Sequence, residues 1–310
     1  MNTRMLPYSD LAIAEAAATI AAGGCVAVPT ETVYGLAADA TDAGAVAGIY
    51  AAKGRPSFNP LIVHVADRPA AERIAQFDSD ARALADSFWP GPLTLVLPLR
   101  SDAGIAGLVT AGLDTVAIRV PQHRAMEALL RAAGKPLAAP SANASGSISP
   151  TRASHVAASL GGRIPLIVDD GATSGGIEST IVALGDAPRL LRPGPITSDA
   201  IEGVIGRPLV RGSDSRIEAP GQLASHYAPA KPLRLEASDA ADDEWLIGFG
   251  PVAGDDTLSA SGDLTEAAAR LFDALHRADA SPSARIGIAP VPDEGIGIAI
   301  NDRLRRAAHR

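Results

Sequence analysis

The sequence predicts an α+β or mixed α/β fold, in which one sheet is surrounded by helices and is followed by a smaller α/β domain. In the first two thirds of the chain, short apolar runs that predict strands lie between stretches that predict helices. Several of the predicted strands, however, follow one another with no helix between them. A polar, irregular stretch at 211–231 then precedes about 80 residues of alternating strands and helices. We therefore expect a first domain at 1–210, a linker at 211–231 and a small C-terminal α/β domain at 232–310.

Strands are predicted at short apolar runs next to turn-forming residues. In chain order they are 25–28, 61–65, 93–97, 116–120, 136–139, 166–168, 180–184 and 189–191, then 233–235, 245–249 and 286–289. Helices are predicted where apolar residues recur every three to four positions. They are 9–22, 42–52, 69–76, 80–88, 123–133, 150–160, 198–205, 264–278 and 296–308. The closely spaced last strands of the first domain argue against a regular, doubly wound parallel sheet.

Turn-forming segments beside these elements carry basic or hydroxyl side chains. They are 29–36, 53–60, 140–146, and 178–180 together with 192–194. Each lies where a rigid element ends and a loop can present polar groups. Because these groups are mainly cations and hydroxyls, the sequence predicts a site for an anionic ligand rich in phosphate or carboxylate oxygens.

In order and spacing, these segments resemble the threonylcarbamoyl-adenylate synthase family, whose core is the YrdC-like domain. The resemblance covers roughly residues 5–210, and the segment 220–229 is similar to the linker of two-domain members. It implies a twisted mixed sheet with a large concave surface. It also implies a nucleotidyltransferase that condenses ATP, L-threonine and bicarbonate, with Mg²⁺ as cofactor, and passes its product to a tRNA threonylcarbamoyl transferase complex.

The resemblance also assigns roles to individual residues. Lys53 and Arg55 are implied as the catalytic cations. The implied ligands of L-threonine and carbamate are Thr32, His64, Arg119 and Ser179. The implied ATP ligands are Arg55, Asn59, Thr115, Ser141, Asn143, Ser149, Arg192 and Tyr227. The metal ligands stay open, and Mg²⁺ is expected to be held through the ATP phosphates.

Ordinary structural roles compete with several of these assignments. Lys53 and Arg55 flank Gly54 at a predicted helix end, where solvated cations interact favourably with the helix dipole. His64 lies in a predicted strand, where a half-buried histidine with satisfied hydrogen bonds is common. Arg119 interrupts an apolar strand, so a protein carboxylate is the alternative to a substrate carboxylate as its partner.

Two further segments can also be interpreted either as ordinary structure or as part of a binding site. Ser149 followed by Pro150 is typical of a helix N-cap with proline at the first helical position, and such a helix end also offers free N–H groups to phosphate. Thr30, Thr32 and Tyr34 carry hydroxyls at alternating positions, which can face one cavity. Alone, this pattern is equally typical of an ordinary strand exit.

The linker contains a pair of rings, His226 and Tyr227, just before Pro229. Rings with one polar end beside a rigid proline suit docking better than free solvation. We therefore expect the linker to fold back over the first domain as a lid, with Tyr227 near ATP and carbamate, shielding the intermediate from water.

Charge and composition restrict the function classes. The net charge of −8 and an aromatic content of 4% argue against a broad nucleic-acid surface. Residues 232–310 hold 8 arginines against 14 acidic residues, so the cationic site belongs to the first domain. The alternative function, a non-catalytic RNA-binding or regulatory module, would need a basic stripe with interleaved aromatic residues, which the sequence lacks.

The single cysteine, Cys25, begins an apolar run and is expected to be a buried small side chain. With one cysteine the chain can form neither an internal disulfide nor a zinc site of several cysteines, which is consistent with a cytoplasmic protein. No apolar run reaches the length of a membrane span.

Overall fold

The computed structural model describes residues 2–211, 218–222 and 225–309. Its strands are β1 (Arg4–Pro7), β2 (Val26–Pro29), β3 (Tyr34–Asp39), β4 (Ile62–His64), β5 (Leu93–Pro98), β6 (Thr115–Arg119), β7 (Leu137–Ala138), β8 (Leu166–Asp169), β9 (Thr180–Ala183), β10 (Arg189–Arg192), β11 (Val210–Arg211), β12 (Leu233–Arg234), β13 (Glu244–Gly248), β14 (Asp256–Thr257) and β15 (Arg285–Ile288). Its helices are α1 (Asp10–Ala21), α2 (Ala43–Lys53), α3 (Arg68–Glu72), α4 (Ser79–Phe88), α5 (Gly107–Thr110), α6 (Arg124–Ala133), α7 (Ala153–Leu160), α8 (Ser198–Ile205), α9 (Leu264–Ala280) and α10 (Gly297–Ala308).

The strands β1 to β11 form one mixed sheet in the order β1-β8-β2-β3-β7-β4-β6-β5-β9-β10-β11. Strand β2 pairs parallel to β8 and antiparallel to β3, and β5 pairs antiparallel to β6 and parallel to β9. Helices α1 to α8 belong to this part of the chain, which we call the first domain. The predicted mixed sheet with surrounding helices is confirmed.

The strands β12 to β15 form a second, parallel sheet in the order β12-β15-β13-β14. With α9 and α10 it makes the small α/β unit that the sequence predicted, which we call the second domain. The exact boundaries of the predicted linker stay predictions, since 212–217 and 223–224 lie outside the described residues. No helix within the described ranges is long and apolar enough to cross a membrane.

Several elements differ from the sequence-based expectation. Strand β3 was missed, because its residues were interpreted as part of a turn-forming segment. The short elements β1, β11, β14 and α5 were also not predicted. The helix expected at 150–160 begins only at Ala153. The helix expected at 69–76 ends at Glu72, and the chain continues in turns.

Strand β3 forms because a tight turn folds it back onto β2. Thr30 Oγ1 accepts hydrogen bonds from the backbone N–H groups of Thr32 and Val33, and donates one to the Val33 oxygen at 2.8 Å. This side chain therefore replaces backbone partners within the turn. The strand that follows is buried along its whole length and pairs with β2 from Pro29 to Val26.

The two domains share an apolar cluster. Val33, Ile148 and Ile177 of the first domain are buried together with Leu271 and Phe272 of α9. Such burial contributes about 25 cal/mol for each Å² of apolar surface removed from water. The second domain is therefore packed against the loops that carry the polar segments 29–36, 140–146 and 178–180.

Backbone and polar contacts complete this interface. A Cβ atom on Gly176 would lie 2.3 Å from the Ala268 oxygen, so only glycine allows this loop to approach α9 so closely. His276 Nε2 of α9 lies 3.1 Å from the Ser149 oxygen. The two domains thus meet beside the segments that the sequence singled out.

Candidate active site

A small cavity lies where the first domain meets the described segments 218–222 and 225–230. The predicted segments all contribute to its wall, with residues that include Thr32, Arg55, Ser141, Ser179, Arg192 and Tyr227. The strands β4 and β6 add His64 and Arg119. Its volume is about 40 Å³, which is space for a few water molecules. The fold therefore brings together side chains that are far apart in the sequence.

Lys53 lies at the end of α2, where Gly54 caps the helix in the left-handed conformation with φ of 61°. Its ammonium is buried, and Nζ donates to the backbone oxygens of Ser141 and Asn143, both at 2.5 Å. Burial, and secondly the nearby Arg55, hold the pKa of the Lys53 ammonium well below its usual value. The alternative of a solvated side chain at a helix end is wrong.

Arg55 is buried and fixed by the loop that follows it. Nε donates to the Asn59 oxygen at 3.1 Å, and Nη2 donates to Asn59 Oδ1 at 2.6 Å and to the Pro60 oxygen at 2.8 Å. Burial lowers the pKa of the guanidinium to about 10, so Arg55 stays charged at neutral pH. The stiff loop thus holds a cation at the cavity wall.

Arg119 ends β6 and is also buried. Nε donates to the Gly91 oxygen at 3.1 Å, and Nη1 donates to Thr32 Oγ1 at 3.1 Å. Nη2 lies 2.6 Å from Glu31 Oε1, so the protein carboxylate expected as the alternative partner is present. The angles of this pair do not make a hydrogen bond, and both Glu31 oxygens lack a hydrogen-bond partner among the described residues.

Arg192 ends β10 and reaches across to the start of β9. Nε and Nη2 donate to the Ser179 oxygen at 3.0 and 2.9 Å, and Nη2 also donates to Ser179 Oγ at 3.1 Å. Ser179 Oγ is in turn 2.8 Å from Thr94 Oγ1. Burial lowers the pKa of the Arg192 guanidinium. A second arginine is thereby held rigidly at the cavity.

Three ring side chains face the cavity with unsatisfied polar atoms. His64 Nδ1, His226 Nδ1 and Tyr227 Oη are buried and have no hydrogen-bond partner in the described part of the chain. Burial, together with Arg119, lowers the pKa of His64 to about 3, so the ring is neutral. Buried polar atoms are rarely left unpaired, so these atoms indicate the position of a bound partner.

The structure corrects several expectations. Ser149 is not an N-cap, because α7 begins after Arg152 and Ser149 Oγ instead donates to Glu178 Oε1 at 2.5 Å. The Tyr34 hydroxyl does not join those of Thr30 and Thr32, since it donates to the Gly171 oxygen at 2.7 Å.

Thr115 lies at the opposite end of β6 from Arg119, and it is not part of the cavity wall. The two residues are four positions apart along the strand, which is about 13 Å. The remaining ATP candidates, Asn59 and Asn143, contact the cations rather than the cavity. Asn143 Nδ2 donates to the oxygens of Ala144 and Ser147 at 3.0 and 2.9 Å.

Sequence reasoning missed two residues at the site. Glu178 lines the cavity and was named only as part of a segment. Its carboxylate accepts from Arg303 Nε of α10 at 2.9 Å. A signal existed, since Arg303 falls on the apolar face of its predicted helix between Ile300 and Leu304. An arginine at such a position needs a buried partner.

Two family models match the chain one after the other. A model described as Telomere recombination matches residues 18–194, and one described as the C-terminal domain of threonylcarbamoyl-AMP synthase matches residues 196–309. The threonylcarbamoyl-AMP synthase of Bacillus subtilis is 44% identical over 99% of this chain and 95% of its own length. The chain belongs to the threonylcarbamoyl-AMP synthase family. The resemblance of its motifs to that family is confirmed.

Further proteins are similar to the chain in sequence or in fold. The Pyrococcus abyssi protein of that name is 41% identical over 94% of this chain and 93% of its own. A crystal structure of P. abyssi Sua5 complexed with L-threonine matches with a TM-score of 0.91 and 38% identity, covering 99% of this chain and 98% of the other. E. coli YciO, at 20% identity and a TM-score of 0.55, is similar in fold over 62% of this chain.

Proposed function

We propose that the protein condenses L-threonine, bicarbonate and ATP into threonylcarbamoyl-adenylate and pyrophosphate, and is thus a nucleotidyltransferase. One observation supports this best: three rigid buried arginines, Arg55, Arg119 and Arg192, line one cavity. Lys53 is buried behind the cavity wall, where Nζ donates to the backbone oxygen of Ser141. Phosphoryl transfer depends on positioning and on stabilising negative charge, and preformed cations supply both.

The threonine is proposed to bind on the side of Thr32, His64, Arg119 and Ser179. The guanidinium of Arg119 suits the carboxylate, and the neutral His64 ring has a free nitrogen for the amine or hydroxyl. The surrounding cations disfavour a further positive charge, so they favour the free amine over the ammonium. The related P. abyssi protein has been crystallised with L-threonine, which supports this part of the proposal.

The triphosphate is proposed to lie along Lys53, Arg55 and Arg192, near Ser141. Dehydration of bicarbonate gives CO2, to which the threonine amine adds with loss of a proton. A carbamate oxygen then attacks the α-phosphorus, and the bond to the β-phosphate oxygen breaks as pyrophosphate leaves. The cations contribute by stabilising the charge on the α-phosphate and the leaving group. No protein nucleophile is needed.

The segment that carries Tyr227 is proposed to act as a lid. Its backbone already pairs with the first domain, because Ala228 N donates to the Gly146 oxygen at 2.8 Å. Tyr227 adopts a φ of 64° and stacks on Phe272 at 5.6 Å. With about 40 Å³ of cavity, ATP and threonine enter only if this segment moves away first. Its return then excludes water from the reactive intermediate.

Mg²⁺ is proposed to arrive with ATP and to be held mainly by the phosphates. Among the described residues no group of histidine, cysteine or acidic side chains has the arrangement of a metal site. Both carboxylates beside the cavity already face arginines, Glu31 with Arg119 and Glu178 with Arg303. When bound, the ion would neutralise charge on the departing pyrophosphate.

The product is proposed to pass to a tRNA threonylcarbamoyl transferase complex, since the intermediate is useful only with an acceptor. The alternative of a non-catalytic RNA-binding module is not supported, because the cations face a buried cavity and not an exposed surface.

Pyrophosphate release tests the proposal. ATP is supplied with threonine and bicarbonate singly and together, and release is expected only when both are present. Release that depends on neither would contradict the proposed reaction. Arg305→Met, which changes an exposed arginine on α10, serves as a control and should release pyrophosphate as the unmodified chain does.

A further inference from the structure

Arg303 connects the second domain to the cavity of the first. It lies on α10, its side chain is fully buried, and Nε donates to Glu178 Oε2 at 2.9 Å. Ser149 Oγ donates to the other carboxylate oxygen. The guanidinium also stands 5.2 Å from the centre of the Tyr227 ring. One side chain of the second domain therefore contacts two residues of the cavity wall.

The charge of Glu178 makes this contact important. A carboxylate in a cavity that suits anions repels phosphate and competes with it for the neighbouring Arg192. Burial alone would raise the pKa of the Glu178 carboxyl, but Arg303, Arg192 and Ser149 outweigh burial and hold the pKa below its usual value. Glu178 is therefore ionised, and Arg303 supplies its main opposite charge. Asp302 holds Arg303 Nη1 from the far side at 2.8 Å.

The position of Glu178 also determines the position of Arg192. Glu178 directly precedes Ser179, whose backbone oxygen accepts from Nε and Nη2 of Arg192. Arg303 Nη2 in turn lies 3.5 Å from the Glu178 backbone oxygen. A side chain that fixes Glu178 thus fixes the acceptor that aims Arg192 into the cavity.

We propose that Arg303 is a positioning residue for the reaction: it touches no substrate, but it neutralises Glu178 and so leaves Arg192 available for the ATP phosphates. This inference rests on the proposed function. It gives the second domain a defined part in the site, since the opposite charge for a carboxylate of the first domain comes from α10 of the second.

The test compares Arg303→Met, Glu178→Gln and the double variant. ATP binding is measured by calorimetry without threonine or bicarbonate, so the result stays interpretable if the condensation itself fails. Arg303→Met should raise the Kd for ATP at least tenfold, or about 1.4 kcal/mol, because an uncompensated carboxylate then faces the phosphates. The double variant should recover most of this loss, because the repelling charge is gone. Arg305→Met, the same change at an exposed position of α10, should bind ATP normally.

A pH series separates this role from simple support of the fold. Without Arg303 the pKa of Glu178 rises, so acid protonates the carboxyl and removes the repulsion. The ratio of the ATP affinities of Arg303→Met and the unmodified chain should therefore increase as the pH falls from 8 to 6. A flat ratio, or a double variant as weak as Arg303→Met, would overturn the inference. If Arg303→Met does not fold, the double variant alone decides: recovered ATP affinity supports the role and lost affinity overturns it.

Discussion

At the scale of single residues, the site consists of cations that are bonded to the protein before any substrate binds. Lys53 donates to two backbone oxygens, and Arg55 and Arg192 each donate to backbone oxygens as well. Taking a charge out of water costs several kcal/mol, and these contacts offset part of that cost. The benefit is catalytic, because fixed donors need no reorganisation when negative charge develops.

Turnover should therefore depend on the geometry of the Arg55 guanidinium as well as on its charge. Arg55→Ala should lower turnover by about 10² or more. Arg55→Lys keeps the charge but cannot reach Asn59 and Pro60 in the same fork geometry, so it should restore only a small part of the activity. Pyrophosphate release measures both variants, and circular dichroism checks their fold. Normal turnover in Arg55→Lys would show that charge alone is sufficient.

The sequence predicted those residues of the site whose segments carry a recognisable pattern. Arg303 was missed because its partner Glu178 is contributed by the other domain, and spacing along one helix does not reveal it. Ser149 was misinterpreted, because the pattern of an N-cap is local whereas the competing partner, Glu178, is distant in sequence.

At the scale of elements, β9 and β10 set the spacing between Ser179 and Arg192. The chain between them returns so closely that Gly194 lies against the backbone of 178–180. A Cβ atom on Gly194 would stand 2.4 Å from Thr180 N and 2.8 Å from the Glu178 oxygen. The absence of a side chain there allows Arg192 to reach its acceptors.

Gly194→Ala should therefore separate the two strands and damage the site. We expect a destabilisation of about 1–3 kcal/mol and a loss of turnover larger than the loss of folded protein explains. Gly203→Ala is the matched control, since Gly203 is exposed in α8 and its Cβ would contact nothing within 4 Å. It should be neutral or stabilising by about 0.5–1 kcal/mol. Equal behaviour of the two variants in urea unfolding and in turnover would contradict this account.

Helices α7 and α9 meet through stacked histidines. The rings of His155 and His276 are 3.8 Å apart, and His155 Nε2 lies 3.4 Å from Asp273 Oδ1. Arg152 and Arg277 also bind Asp273. Burial, and then His276, lower the pKa of His155 to about 3, and burial lowers the pKa of His276. Both rings are therefore neutral in the packed interface.

Because the pKa values of both histidines are lower in the folded protein, the free energy of unfolding should fall in acid. An unfolded histidine takes up a proton near pH 6.5, whereas the folded ones resist it, so stability is complete above that pH and falls below it. We expect Tm to drop between pH 7 and 5. His155→Phe keeps a ring but binds no proton, so its Tm should drop less. His309→Phe, at an exposed position, should follow the unmodified chain, and identical slopes for all three would contradict the prediction.

Most long elements could be predicted from periodicity, as the agreement of α8 at 198–205 illustrates. Strand β3 could not, because its turn depends on Thr30 and its apolar residues continue a segment rich in hydroxyls. The two-residue strands β11 and β14 carry too little pattern to be recognised, and pairing with a neighbour defines them.

At the scale of the whole molecule, the second domain packs against residues that form the cavity wall. It buries Val33, Ile148 and Ile177, and it brings Arg303 to Glu178. The segment with Tyr227 runs between the domains and touches both, since the ring stacks on Phe272 of α9. Closing the cavity and docking the domains are thus physically connected.

Removal of residues 213–310 should leave a folded first domain that still binds nucleotide, but more weakly than the full chain, and makes little product. The reason is the loss of Tyr227 over the cavity and of the charge that balances Glu178. Tyr227→Ala in the full chain should reproduce part of the loss, while Tyr227→Phe keeps the ring and isolates the contribution of the hydroxyl. Adenylate formed per enzyme is the measure, with circular dichroism as the check of folding. Full activity of the shortened protein would reduce the segment to a spacer.

The most direct measurement uses bicarbonate labelled with carbon-13. The full chain is incubated with ATP, threonine and the labelled bicarbonate, and the nucleotide product is identified by mass spectrometry. The account predicts an adenylate that contains threonine and one labelled carbon, formed in proportion to pyrophosphate. An adenylate of threonine without the labelled carbon, or AMP and pyrophosphate with no threonine adduct at all, would contradict it.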